Sequence, residues 1–349
     1  MRTPPQRALL PLSLVAVLAL SSCGAPSSGP TPEAEQSQAT SAEKTAPTRD
    51  GESSHTPTPT GHVSAHLPSR DPDVLVDRET VEQSPARDAR ILTLDRAGAL
   101  SRAVWALGMG ENLIGRDTAS DFPGVKDLPL VTPGGHSINA ETVLGLRPDI
   151  VLTDGSIGPS RVMKKLRATG VKVIDITAER TPETIGTLVE EVAVGIGLEQ
   201  ASDQVTDQIN EKLDQATASA QSRADGRKMM ILYVRGTGVA MIAGPESGGR
   251  SLIERLGGTD AGEKLGINGS FTPLTPEALI EAAPDTLIVM SSGLESVGGV
   301  NGLLEVPGVS QTPAGKNRSV LDVPDSELLS FGPNTPGVID AMAEALYGD

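Results

Sequence analysis

Asn139-Ala-Glu-Thr-Val-Leu-Gly-Leu-Arg-Pro-Asp-Ile-Val-Leu-Thr153 decides the fold, because the chain carries the same cassette twice. The second copy is Thr275-Pro-Glu-Ala-Leu-Ile-Glu-Ala-Ala-Pro-Asp-Thr-Leu-Ile-Val-Met290, and the step from glutamate to proline is 7 in both (148 − 141 and 284 − 277). Each reads as a short helix released into a strand. Asn139 or Thr275 is suited to accept the free N–H groups of the first helical turn, and Pro276 fits the first helical position. Glu141 and Glu277 sit at the positive end of the helix dipole. Pro148 and Pro284 push the residue before them out of helical geometry and let the chain run on as a strand. Each copy also follows a helical run that ends in Leu-Gly, at Leu107-Gly108 and Leu256-Gly257. Two cassettes with matched spacing predict two similar lobes.

Outward from the cassettes, short apolar runs alternate with helical stretches from about residue 88 onward. The predicted strands are Arg90–Leu94, Ile150–Thr153, Val171–Ile176, Met229–Val234 and Thr286–Met290, with helices between them as in Pro159–Thr169. Such alternation predicts an α/β fold with parallel sheets. The lobes are expected over 88–180 and 229–349. Between them, 181–228 is mostly helical and broken near Gly195 and Gly197. Its second part places Ala201, Val205, Ile209, Leu213 and Ala216 at spacings of four, four, four and three. That is one apolar stripe. It is too short for a coiled-coil seam and suits a long helix lying across both lobes.

The 349 residues suffice for one large or two modest domains. A formal net charge of -16 and the absence of clustered Lys and Arg argue against nucleic acid as a partner. Aromatics are 2% of the chain, so a pocket that stacks flat rings between several Trp and Tyr is hard to build. The only cysteine is Cys23, which rules out an intrachain disulfide. Ahead of it, Arg2 and Arg7 form a basic region and Ala8 to Leu20 an apolar one, too short for a good membrane span. Leu20-Ser21-Ser22-Cys23 resembles the lipobox of bacterial lipoproteins. The resemblance implies a signal peptide over 1–22, cleavage before Cys23, and a lipid (palmitate) on that residue that tethers the protein to the extracytoplasmic face of the cell membrane. Residues 23–70 are rich in Ser, Thr, Pro, Gly and Glu, and are expected to be a disordered spacer. Three of the four histidines, His55, His62 and His66, fall there and read as solvated residues. His136 is the one histidine of the folded part.

The layout resembles the substrate-binding lipoproteins of bacterial ABC importers, in the class that carries siderophores, cobalamin and haem. The resemblance covers roughly 88–349. It implies two Rossmann-like lobes joined by a single long helix, with the ligand held in the cleft between them. More specific stretches are similar to the haem-binding branch: Gly134-Gly-His-Ser-Ile-Asn139, Leu232-Tyr-Val-Arg-Gly236, Gly293-Leu-Glu-Ser-Val-Gly-Gly299, Leu304-Glu-Val-Pro-Gly308, Thr312-Pro-Ala-Gly-Lys316 and Phe331-Gly-Pro333. This branch implies that His136 and Tyr233 are the axial ligands of haem iron. It also implies that Glu141 and Glu277, one per lobe, dock onto arginines of a permease dimer. One departure is Asn334, which stands where such proteins often carry arginine.

The chemistry agrees with these assignments. Imidazole and phenolate both serve as haem-iron ligands. A free tyrosine is protonated at neutral pH, with an ordinary pKa of about 10; the metal's charge and a nearby cation favour its ionisation. Arg235 is two residues on, hence on the same face of the strand. It is suited either to stabilise the phenolate or to pair with a haem propionate. Both residues lie at the carboxyl end of their strand, where open α/β sheets bind ligands. Met290 ends another strand and reads either as a thioether contact to the ligand or as packing. Arg250, in a glycine-rich loop, reads either as a second propionate partner or as a surface residue. Zinc or manganese capture needs several converging His and carboxylate ligands, which one folded-part histidine does not supply. No nucleophile elbow, phosphate loop or Cys/His pair is present, so the protein is not expected to be an enzyme. Siderophore or cobalamin capture on the same fold is the nearest rival. The protein is expected to be a monomer that takes haem and passes it to the permease.

Overall fold

The computed structural model describes residues 60–348 apart from positions 136 and 237. The expected signal peptide, Cys23 and most of the expected spacer therefore lie outside the described residues, as does His136. The described residues form one compact unit.

Both cassettes fold as their capping residues dictate. The helix Ala140–Leu146 starts on Asn139, whose side chain accepts the N–H groups of Glu141 and Thr142 at 3.2 Å. The helix Pro276–Ala282 starts on Thr275, which accepts from the Ala278 N–H at 3.2 Å. Each ends on a left-handed residue directly before the proline, Arg147 (φ 49°) and Ala283 (φ 46°). The aspartate after the proline has a job the spacing alone did not reveal. Asp149 Oδ2 accepts the Arg90 N–H and Asp285 Oδ2 accepts the Lys228 N–H, each at 2.9 Å. In both lobes the cassette thus fixes the start of the neighbouring strand.

Among the described residues ten strands follow in chain order: β1 (His62–Ser64), β2 (Ile91–Leu94), β3 (Ile150–Thr153), β4 (Lys172–Asp175), β5 (Lys228–Arg235), β6 (Val239–Ala243), β7 (Thr259–Asp260), β8 (Phe271–Pro273), β9 (Thr286–Met290) and β10 (Val320–Val323). The N-terminal lobe holds a parallel sheet, β2-β3-β4. The C-terminal lobe holds a larger one in the order β1-β10-β9-β5-β6-β8, with β7 also on β5. Its central strands are parallel, while β6 and β8 add an antiparallel edge. The buried runs of β2, β3, β9 and β10 are mostly apolar, as expected of parallel strands covered by helices, with Thr93, Thr153, Thr286 and Asp322 as their polar members.

The lobes are joined by Ile185–Gly195 and then the 25-residue helix Glu199–Arg223, with the break at Gly197 (φ 71°). The predicted stripe of Ala201, Val205, Ile209, Leu213 and Ala216 is buried along the long helix. It packs on Ile185–Gly195 and on the C-terminal helix Thr335–Tyr347. Among the described residues no helix is long and apolar enough to cross a membrane.

One expectation needs correction. The spacer does not run to residue 70: β1 is an edge strand of the C-terminal sheet, registered on Val320, Leu321 and Asp322. His62 is not merely solvated; its Nε2 lies 2.9 Å from Asp322 Oδ1, to which Ser64 Oγ also donates. Three residues with one apolar side chain give no periodicity to detect, so the pairing partner makes the strand. The chain then crosses to the other lobe. Asp73 pairs with Lys212 of the long helix at 2.8 Å, and the Leu75 N–H donates to Ala106 O at 2.8 Å.

Loops leaving the carboxyl ends of the two sheets meet. Arg102, on the helix Ala99–Ala106 that follows β2, reaches Glu327, which follows β10, at 2.7 Å. The ligand-binding ends of both sheets therefore face the same interlobe region.

Candidate ligand site

β5 is the central strand of the larger sheet, and its side chains alternate between faces. Met229 to Leu232 and Val234 are buried, whereas Tyr233 and Arg235 at the carboxyl end are half-buried. Across the antiparallel edge Tyr233 opposes Met241 and Arg235 opposes Val239; β6 in turn opposes Ala243 to Phe271 of β8. On the other side β5 runs parallel to β9, which brings Met290 alongside.

These registers assemble one cluster. The Phe271 ring meets Tyr233 edge-on, with centroids 5.8 Å apart at 61°. The Arg235 guanidinium lies 4.8 Å above the Tyr233 ring, and its Nη2 is 3.8 Å from Met290 Sδ. Arg235 Nη2 also pairs with Asp325 Oδ1, and its Nη1 donates to Val234 O at 3.0 Å. The phenol oxygen of Tyr233 has no hydrogen-bond partner among the described residues. Around it, Phe271 and Val239 are 36% and 40% exposed. The strand ends thus present exposed apolar side chains around one phenol oxygen, with one cation beside it.

The loop that carries His136 is held on both sides of that residue. The N–H groups of Gly134 and Gly135 both donate to Thr132 O, and Gly135 takes φ 72°. Beyond, the Ile138 N–H donates to Gly158 O at 2.9 Å and the Asn139 N–H to Val131 O at 2.8 Å. The Ala140–Leu146 helix starts next.

The other predicted residues divide. Glu141 and Glu277 are exposed at matched first-turn positions and form no salt bridge among the described residues. Arg250 opens the helix Gly249–Arg255, where Asp260 (3.4 Å) and Glu263 (3.6 Å) engage it. Its guanidinium is already matched by carboxylates. Asn334 donates from Nδ2 to Glu327 Oε2, so it belongs to the interlobe contact of Arg102 and Glu327. Asp325 and Phe271 were missed in the sequence. Both sit on or beside short strands, β10 and β8, that have no periodic signal of their own; the scarcity of aromatics was the one hint at Phe271.

A second group at the carboxyl end of the N-terminal sheet also escaped the sequence reading. Asp95 and Asp117 are fully buried. Asp95 accepts the N–H groups of Ala99 (2.9 Å) and Leu100 (3.4 Å), and Asp117 accepts those of Asp95 (3.2 Å) and Ser120 (2.8 Å). Burial, reinforced by the neighbouring carboxylate, pushes Asp95 up to about 8; burial pushes Asp117 up to about 6. Their bonds start a helix and close a turn. Among the described residues no three His, Cys, Asp or Glu side chains converge to hold a metal ion.

Two lobes of parallel sheet, a single bridging helix and a ligand surface at the strand ends define a binding protein of the importer type. The chain belongs to the periplasmic binding protein family, whose model matches residues 98–327. The crystal structure of the heme binding protein HmuT is 35% identical and superposes with a TM-score of 0.76, covering 83% of this chain and 98% of HmuT. HmuT variants in which one tyrosine, one histidine or one arginine is replaced by alanine superpose as well, at 0.76 to 0.77. The periplasmic heme-binding protein RhuT from Roseiflexus sp. RS-1 is 34% identical, with a TM-score of 0.68 over 74% of this chain and 98% of RhuT. Among curated relatives, the uncharacterized ABC transporter substrate-binding lipoprotein YvrC of Bacillus subtilis is 24% identical over 70% of this chain and 76% of its own length. A cobalamin-binding protein of Halobacterium salinarum is 25% identical over 64% of this chain and 58% of its own.

Proposed function

We propose that this protein is an extracytoplasmic haem-binding protein that captures haem and delivers it to the permease of a bacterial ABC importer for iron or haem uptake. The observation that carries the reading is Tyr233 at the carboxyl end of β5, with the Arg235 guanidinium 4.8 Å above its ring and an apolar rim around it. Haem is a flat apolar plate with an oxidised iron at its centre and carboxylates at one edge. A hard anionic oxygen suits that iron, the rim suits the plate, and a guanidinium suits either the phenolate or a propionate. His136 supplies the second axial ligand from the other lobe, and Met290, 3.8 Å from Arg235 Nη2, is suited to add a thioether contact to the ligand. Support comes from HmuT and RhuT, both named as haem-binding.

Cobalamin is the alternative, favoured by the Halobacterium relative. That likeness is lower in identity and covers less of the chain than the likeness to HmuT. In our reading the protein binds and releases its cargo without turnover, as a monomer. It is anchored through a lipid on Cys23, and Glu141 and Glu277 dock on the permease and thereby on its ATPase.

Titration with haemin and, in parallel, with cyanocobalamin tests the assignment by absorbance. A Soret band that saturates at one haem per protein is expected. It should change form in His136→Ala and in Tyr233→Phe and disappear in the double variant. Saturable binding of the cobalamin with no Soret response to haemin would overturn the haem reading.

A further inference from the structure

The helix Ser160–Ala168 runs against the charge of the chain around it. From 155 to 174 there are five cations, Arg161, Lys164, Lys165, Arg167 and Lys172, and no carboxylate, in a chain of net charge -16. The long helix Glu199–Arg223 has the opposite balance, with five carboxylates against Lys212 and Arg223. Val162, Met163 and Leu166 bury one face of Ser160–Ala168 in the N-terminal lobe. Arg161, Lys164 and Lys165, three and four positions apart, share the other face and are exposed. Arg167 pairs with Asp175 at 2.6 Å, and Lys172 Nζ donates to Gly195 O at 3.0 Å. Arg161, Lys164 and Lys165 have no ion pair or side-chain hydrogen bond among the described residues.

Helix stability does not account for these three. Lys165 and Arg167 in the last turn complement the helix dipole, but Arg161 in the first turn opposes it. No acidic residue stands in that turn, and Pro159 at the N-cap makes no capping bond. The charged neighbours of Arg161 at helical spacing are Lys164 and Lys165, so like charges face each other, which costs stability. The helix also leaves the carboxyl end of β3, and Gly158 just ahead of it accepts the Ile138 N–H that holds the His136 loop. Its cationic start is therefore on the ligand side of the lobe.

We propose that Arg161, Lys164 and Lys165 form a contact surface for anionic phospholipid headgroups, which turns the ligand side of the N-terminal lobe toward the membrane. This takes from the proposed function only that the protein works tethered at a membrane. A headgroup layer is a diffuse anionic plane and demands no fixed geometry. Lysine ammonium groups on flexible stems suit it as point charges. The acidic remainder of the molecule is repelled by the same plane, so the charge asymmetry sets an orientation as well as an attraction. The apolar side chains of the helix are all turned inward, so contact is by adsorption without insertion. A protein partner would favour an exposed apolar anchor among the charges, and this helix offers none.

The test is co-sedimentation of the mature chain, residues 23–349, with vesicles of phosphatidylcholine alone or mixed with phosphatidylglycerol. Cys23→Ser keeps any attached lipid out of the measurement. Binding is expected with phosphatidylglycerol present and is expected to disappear in high salt. Each cation near an anionic surface changes partitioning about fivefold, so the triple variant Arg161→Gln, Lys164→Gln, Lys165→Gln should bind about tenfold more weakly or worse. Its far-UV circular dichroism should match the wild type. Lys228→Gln, Lys264→Gln, Lys316→Gln removes the same charge from exposed positions of the other lobe and should leave binding nearly unchanged. Equal binding to the two kinds of vesicle overturns the proposal and points to an acidic protein as the partner of these cations. A control triple that loses as much as the helix triple overturns it too, because net charge alone is then at work. The assay contains no haemin. Lipid binding as expected in a protein that fails to bind haemin would sink the haem reading and leave this surface standing; haemin binding without lipid preference would do the reverse.

Discussion

Arg102 and Glu327 tie the two lobes together at their base, 2.7 Å apart, with Arg102 2% exposed and Glu327 17%. Arg102 also lies 5.5 Å from the Phe122 ring centroid, and Glu327 accepts a bond from Asn334. Burial pushes the Glu327 carboxyl above its usual range, even though Arg102 and Asn334 pull it down. The pair's attraction thus does not fully offset its desolvation. Arg102→Ala should destabilise the protein by about 3 kcal/mol, because it strands a buried carboxylate. Glu327→Gln keeps the shape and should cost distinctly less. Urea unfolding of both variants checks the order; equal costs would mean that the contact is shape alone.

Asp95 gives the fold a pH signature. Its folded-state carboxyl sits at about 8, against about 3.9 for an unfolded chain. The folded state therefore holds a proton that the unfolded chain releases between those values. Its stabilising contribution is full below about pH 4 and is lost as pH rises through about 8. Asp117 acts in the same direction, up to about 6. Asp95→Asn mimics the protonated form and keeps an acceptor for the Ala99 N–H. Its unfolding midpoint should fall less than that of the wild type between pH 5 and pH 9, a window taken from these values. Parallel slopes in the two proteins would refute the assignment.

The two cassettes should respond alike. Asp149→Ala and Asp285→Ala each remove an acceptor for a strand-starting N–H at 2.9 Å. Each is expected to cost about 1 kcal/mol. The double variant should show the sum, since the sites lie in different lobes. Denaturant titrations of the three variants measure this directly.

Glu141 and Glu277 are exposed and without ion pairs among the described residues. Replacing both by Ala should leave haemin binding unchanged and reduce haem-dependent growth or uptake, with the double variant worse than either single one. An uptake defect that tracks loss of haemin affinity would place these residues in the ligand site rather than at the permease.

Most of the architecture was legible in the sequence because its signals are local. Asn139 and Thr275 cap, Pro148 and Pro284 terminate, and the stripe from Ala201 to Ala216 marks the long helix. Tyr233 and Arg235 were legible for the same reason, since spacing by two on a strand puts them on one face. What stayed hidden depends on partners distant in the chain. β8 and β10 are too short to announce themselves, so Phe271 and Asp325 were invisible as site residues. Arg250 looked available because its matching carboxylates, Asp260 at the end of β7 and Glu263 just beyond it, come ten or more residues later in the chain. Asn334 looked like a lost ligand contact until Glu327 appeared beside it.

Among the described residues β1 has β10 as its only strand neighbour, and more than 250 residues separate them (320 − 62 = 258). β1 must therefore wait for β10, the last of the described strands, before it can pair. One lobe is interrupted by the whole of the other, and no single cut of the polypeptide yields two complete halves. A fragment ending before Val320 would leave His62–Ser64 without its template, so the larger lobe closes only once β10 is in place.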